Sequence, residues 1–184
     1  METWLIVLLA VVGIILLYLI IVYNSLVRLN VRIDNAWSQI DVQLKRRYDL
    51  IPNLVNTVKG YMKHEREVLE NITKARSALM SAKTLPEKAK QSDMITNALK
   101  TLFAVAENYP TLKANENFMM LQEELSGTEN KISYSRQFYN DSVMVFNEKI
   151  KVFPNNIFAN MLNFKVREFF KTEGKEREPV KVEF

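Results

Sequence analysis

Residues 4–23 read WLIVLLAVVGIILLYLIIVY, twenty positions with no charge and a single glycine, Gly13. As an α-helix rising ~1.5 Å per residue, the run reaches ~30 Å, the thickness of a bilayer's hydrocarbon core. Only a helix can satisfy its own backbone in lipid, and the core helix of a soluble domain rarely stays apolar on every side for so long. A secretory signal peptide is the rival reading. It needs a basic start, an apolar stretch of ~7–15 residues and a small-residue cleavage pattern. Met1, Glu2 and Thr3 precede the run, and Val22-Tyr23-Asn24-Ser25-Leu26 closes it without such a pattern. Residues 1–23 are therefore expected to be an uncleaved transmembrane anchor.

Orientation follows the basic residues near the span. None precedes it; Arg28 and Arg32 follow, then Lys45, Arg46 and Arg47. The expectation is a short N-terminus outside and a cytoplasmic C-terminal domain, with Arg28 and Arg32 at the head groups. Trp4 and Tyr23 mark the two ends of the run, where aromatic belts form. The absence of cysteine suits a reducing compartment.

Four glycines and five prolines in 184 residues leave few turn formers, which argues for long helices and against a β-rich fold. The fold class expected is all-α: the transmembrane helix continues into an elongated antiparallel four-helix up-and-down bundle over residues 24–153. Helices are expected at about 24–51, 53–82, 86–108 and 116–152. Leu26, Ile33 and Ile40 repeat every seven residues in the first, and Leu54, Tyr61, Val68 and Ala75 in the second. Pro52 stands between them and either kinks one helix or reverses the chain; reversal is the preferred reading. It would bring the fourth helix back to the membrane, so that Phe153, Ile157, Phe158, Met161, Leu162 and Phe164 touch the lipid surface; a kink alone would leave that segment far from the bilayer. Thr84 and Glu87 have the spacing of a capping box for the third helix, whose apolar side is read as Met94, Ile95, Ala98, Leu102 and Val105. Asn115 is the expected N-cap of the fourth. There Phe118, Leu125, Ile132, Tyr139, Phe146 and Phe153 recur every seven positions. These stripes read as core. Residues 154–184 read as an apolar segment and a charged tail, mobile until Val180, Val182 and Phe184, whose alternation suits docking on the bundle.

Little points to chemistry. His64 is the only histidine, and with no cysteine a zinc site or a histidine-assisted nucleophile lacks its parts. No glycine-rich phosphate loop occurs. No catalytic residue, metal ligand or cofactor is expected, and the chain is not read as an enzyme. Although the pI is 9.2, 25 basic residues face 21 acidic ones in an interspersed pattern, so nucleic acid is not an expected partner. The notable charges are Asp41, Lys45, Arg46, Arg47 and Asp49 on the first helix and Glu129 and Arg136 on the fourth. Arg47 falls on the Leu26/Ile33/Ile40 register, and Asp41 and Lys45 have i,i+4 spacing. They are read as an inter-helix ion-pair network, with a partner-binding groove as the alternative. Lys45 lies ~33 Å past Tyr23 along an upright helix, beyond the ~8 Å reach of unscreened charge at the membrane surface.

The segments YNSLVRL (23–29), NAWSQIDVQLKRRYDLIPNLVNTVKGYMKHE (35–65), LKANENFMMLQEELSGTENKISYSRQFYN (112–140), FPNNIFANMLNF (153–164) and PVKVEF (179–184) resemble the LemA family of bacterial membrane proteins. The family pattern carries a small residue or glycine at Asn155 or Asn163. The resemblance implies a single span in the bacterial cell (inner) membrane with a cytoplasmic helical bundle, and it brings no catalytic residues. Some relatives are associated with building intracellular membranes; others are encoded beside membrane metalloproteases. The expected role is a membrane-anchored scaffold that contacts the lipid bilayer and other proteins and self-associates into a homo-oligomer. The alternative is a regulatory partner of a membrane-bound metalloprotease.

Overall fold

The computed structural model describes residues 2–62 and 64–171. Every element among them is helical: α1 (Glu2–Lys59), α2 (Arg66–Ser81), α3 (Leu85–Ala106), α4 (Pro110–Lys113), α5 (Glu116–Lys151) and α6 (Asn155–Met161). The expected docking of Val180, Val182 and Phe184 lies outside the described residues. The chain divides into two compact units, Met1–Gln39 with Ser135–Phe169, and Ile40–Tyr134 with Phe170–Phe184.

The break expected at Pro52 does not occur. α1 runs through it to Lys59, so the helices read at 24–51 and 53–82 are instead α1 and the shorter α2, joined by residues 60–65. A proline inside a helix has no N–H to give the carbonyl four residues back, here that of Tyr48. Arg76 of α2 supplies the missing donor: its Nε donates to the Tyr48 carbonyl at 3.2 Å. The same guanidinium lies 3.8 Å from the centre of the Tyr48 ring, a cation–π contact. One side chain thus fills the gap that the proline leaves and docks α2 on α1.

The second unit closes over an apolar core. Ile51, Leu54, Val58 and Met62 meet Ile72, Ala75 and Leu79 of α2, Ile95, Leu99, Leu102 and Ala106 of α3, Leu112 of α4, and Phe118 and Leu125 of α5. Met94, read as part of the buried side of α3, is exposed, and Ala89 and Ser92 are buried instead. α3 opens on the Thr84–Glu87 capping box. The backbone N–H groups of Lys83 and Thr84 donate to the Glu87 carboxylate and hold it below the usual carboxylate range. The third helix ends earlier than read, at Ala106, because Pro110 opens the separate turn α4. Asn115 caps α5 by accepting from the Phe118 N–H at 3.0 Å.

In the first unit α5 pairs with α1 through Arg32 over the Phe138 ring, at 4.8 Å, and through an edge contact of Trp37 with Tyr139 at 6.1 Å. The segment after α6, read as the start of a mobile tail, is pinned as far as residue 168. Asn147 exchanges two 2.8 Å hydrogen bonds with the Arg167 backbone, and the Tyr139 hydroxyl donates to the Glu168 carbonyl at 2.9 Å. Burial pushes that hydroxyl above the usual phenol range. α6 ends in a Schellman turn: Phe164 N–H donates to the Ala159 carbonyl and Asn163 N–H to that of Asn160. Asn163 takes the left-handed conformation this requires, with φ 58°. Asparagine is the residue that best replaces glycine there.

Arg76→Met is expected to lower stability by about 1–2 kcal/mol, the cost of an orphaned carbonyl. In a Pro52→Ala background the loss should shrink, because an alanine N–H restores the helical donor. A double-mutant cycle by denaturant unfolding of the full chain in detergent checks this; strict additivity would count against it.

Candidate functional site

The charged residues singled out on α1 face different partners. Asp41 pairs with Lys88 at 2.7 Å, and Lys45 with Asp49 at 2.7 Å. The i,i+4 pair read between Asp41 and Lys45 is therefore replaced by one bridge to α3 and one local bridge. The hydrogen bond to Asp49 raises the Lys45 pKa. Arg46 pairs with Glu124 of α5. These three pairs are solvent-exposed and contribute little individually.

Arg47 is different. It occupies a core position between Ile40 and Leu54 on the seven-residue register, and all three are fully buried. Its Nη1 donates to Glu129 Oε2 at 2.5 Å and to Thr96 Oγ1 at 3.0 Å. Its Nη2 donates to the Ser92 hydroxyl at 2.8 Å and to the Ser92 carbonyl at 3.1 Å. The Thr96 hydroxyl donates in turn to Glu129 Oε1 at 2.7 Å, so the carboxylate is held from two sides. Glu129 is one-third exposed and borders an open groove of about 230 Å³ between α3 and α5, beside Phe103 and Leu125. The guanidinium itself is enclosed by protein and inaccessible to a partner. Arg136, read with this network, lies half-buried in the other unit.

Sequence reasoning missed Ser92, Thr96, Lys88 and Glu124. For Ser92 a signal existed: it interrupts the seven-residue series Leu85, Leu99, Ala106 with a polar residue. A polar residue in a core register is often placed to meet a buried charge.

The residues read as membrane-facing gather in the first unit. Phe158 packs on Tyr18 at 5.7 Å, and Phe164 lies 6.3 Å from Tyr23 and 6.2 Å from Phe146. The Tyr18 hydroxyl donates to Asn155 Oδ1 at 2.7 Å, a contact that spacing could not foresee. Phe153, Ile157, Met161 and Leu162 are exposed. Arg28 is exposed and donates to the Asn24 carbonyl at 3.3 Å, whereas Arg32 stacks on Phe138. Lys149 of α5 bonds the Ser25 hydroxyl.

Glu129→Leu strands the buried guanidinium and is expected to cost about 3–5 kcal/mol. Adding Arg47→Met removes the stranded charge and should recover most of that loss. Unfolding midpoints of the two variants in detergent measure it; a double variant no more stable than the single one would show that the network is worth more than its apolar replacement.

One helix among the described residues, α1, is long and apolar enough to cross a membrane. The model of the LemA family matches residues 36–184. Protein LemA of Metamycoplasma hominis is 35% identical over 144 residues, which cover 76% of this chain and 64% of that protein. The chain thus spans just under two thirds of that relative's length. Magnetosome protein MamQ 2 of Paramagnetospirillum magneticum is 24% identical over 184 aligned positions, covering 86% of this chain and 68% of the relative. Magnetosome protein MamQ of Magnetospirillum gryphiswaldense is 22% identical over 174 positions, covering 80% and 64%. With the family model matched over most of its length, the chain belongs to the LemA family.

Proposed function

We propose that this protein is a membrane-anchored scaffold: its helices past the span form an antiparallel bundle on the cytoplasmic face of the bacterial cell membrane and hold other proteins there. The observation that carries the reading is α1, in which the apolar run 4–23 and the heptad positions of a folded domain belong to one unbroken helix. Anchor and domain share this helix, so whatever the domain binds is tethered to the membrane. The magnetosome proteins among the relatives support the membrane placement. Pairings within the second unit support the bundle. Tyr61 meets Asn115 while Arg47 meets Glu129, so α5 runs opposite to α1, and Tyr48 meets Arg76 of α2. Asp41 meets Lys88 and Arg47 meets Ser92 and Thr96, so α3 runs along α1.

Self-association follows from the anchor. Parallel spans confined to a plane raise the local concentration of their domains without any new contact. The reading as a protease partner rests on family resemblance alone.

Cross-linking in intact membranes tests the proposal, using a single Met120→Cys at an exposed position of a chain with no native cysteine. A scaffold is expected to give a discrete homo-oligomer or a stoichiometric adduct with one defined protein. A membrane protease as that adduct would replace the scaffold reading with the regulatory one, and a monomer without adducts would contradict both.

A further inference from the structure

The apolar run and the protein packed against it overlap, and the overlap places α6. Of the run's twenty residues, Trp4 to Leu17 are exposed on every side. Those fourteen positions reach only ~21 Å, well short of the ~30 Å of a hydrocarbon core. The missing length is Tyr18 to Tyr23, where packing begins: Tyr18 bonds Asn155 and meets Phe158, and Tyr23 meets Phe164. A bilayer that covers the whole run therefore reaches the level of α6.

The outward face of that region suits this depth. Phe153 is 74% exposed, Ile157 54% and Met161 66%; Ile157 and Met161 share one face of α6 by their spacing of four, and Phe153 lies just before the helix. Phe153 also closes the series Phe118, Leu125, Ile132, Tyr139, Phe146, whose other five members are buried. Without lipid, this last aromatic has nothing to cover it among its own unit's described neighbours. Exposed basic groups, Lys151 and Lys165, flank the stripe, with Glu148 as a nearby exposed acid. That pattern, apolar side chains bordered by cations, is what anionic headgroups and the acyl boundary accept together. The Tyr18 hydroxyl and Asn155 Oδ1 satisfy each other at this level through their hydrogen bond.

We infer that α6 is a second membrane contact, lying in the interface of the leaflet on the domain's side, with Phe153, Ile157 and Met161 in the acyl boundary. The span and α6 then grip the leaflet together and fix the depth of the first unit. This rests on the membrane-anchored reading of α1.

The test uses the full chain in vesicles of phosphatidylethanolamine and phosphatidylglycerol, spin-labelled at one cysteine at a time: Ile157→Cys, Met161→Cys, Val12→Cys as the reference in the span and Ser38→Cys as the reference in water. All four positions are exposed on the protein, so labelling leaves the fold alone. Accessibility to oxygen relative to a water-soluble nickel chelate is expected at 157 and 161 to lie between the values at 12 and 38, well above that at 38 and below that at 12 in mid-span. Values at 157 and 161 equal to that at 38, with 12 still lipid-like, overturn the inference and leave the anchor standing. A water-like value at 12 overturns the anchor and the inference together. Shielding of 157 and 161 from both reagents, with dipolar broadening between copies, makes the stripe a contact between two chains and also overturns it.

Discussion

A peptide group in hydrocarbon has no water to bond, so the apolar residues 4–23 must close every hydrogen bond within their own helix. The rest of the chain is arranged around that obligation. α1 does not end at the membrane but continues to Lys59, and its later turns supply the face on which the second unit folds. A helix carried that far through Pro52 has to settle one orphaned carbonyl, and Arg76 settles it from α2. A demand of the bilayer and a demand of the backbone are met along one element.

Arg47 adds specificity to that element. The apolar positions of a heptad are nearly interchangeable, and sliding a helix by seven residues would bury much the same area. A guanidinium at a core position removes this freedom, because only one alignment surrounds it with Ser92, Thr96 and Glu129. Such a group adds little net stability once its desolvation is counted. Its consequence is that α1, α3 and α5 have a single register in the second unit.

The helices are legible in the sequence because their signal is local and repeated. Phe118, Leu125, Ile132, Tyr139 and Phe146 are buried as their spacing implies, and the Thr84–Glu87 box, complete within four residues, caps α3. Asn163, which with Asn155 is one of the two alternative places where the family resemblance implies a small residue or glycine, has a positive φ. What is not legible depends on groups far apart in sequence. Pro52 reads as a chain reversal because the donor that lets the helix continue is on another helix. The core position of Arg47 can be read from the register, whereas its partners cannot, since five charges between Asp41 and Asp49 offer several pairings. The stretch around Arg167 reads as free because its ties, backbone bonds to Asn147 and Tyr139 and an ion pair with Asp34, reach groups far away in sequence.

The proposed scaffold reading puts the helical domain in the cytoplasm, and its side of the membrane can be measured directly. The native chain has no cysteine, so single substitutions Thr3→Cys and Ser126→Cys report the two sides through a membrane-impermeant maleimide. In intact cells, labelling at 3 and protection at 126, relieved when the membrane is opened, is the result predicted. Labelling at 126 in intact cells would contradict it.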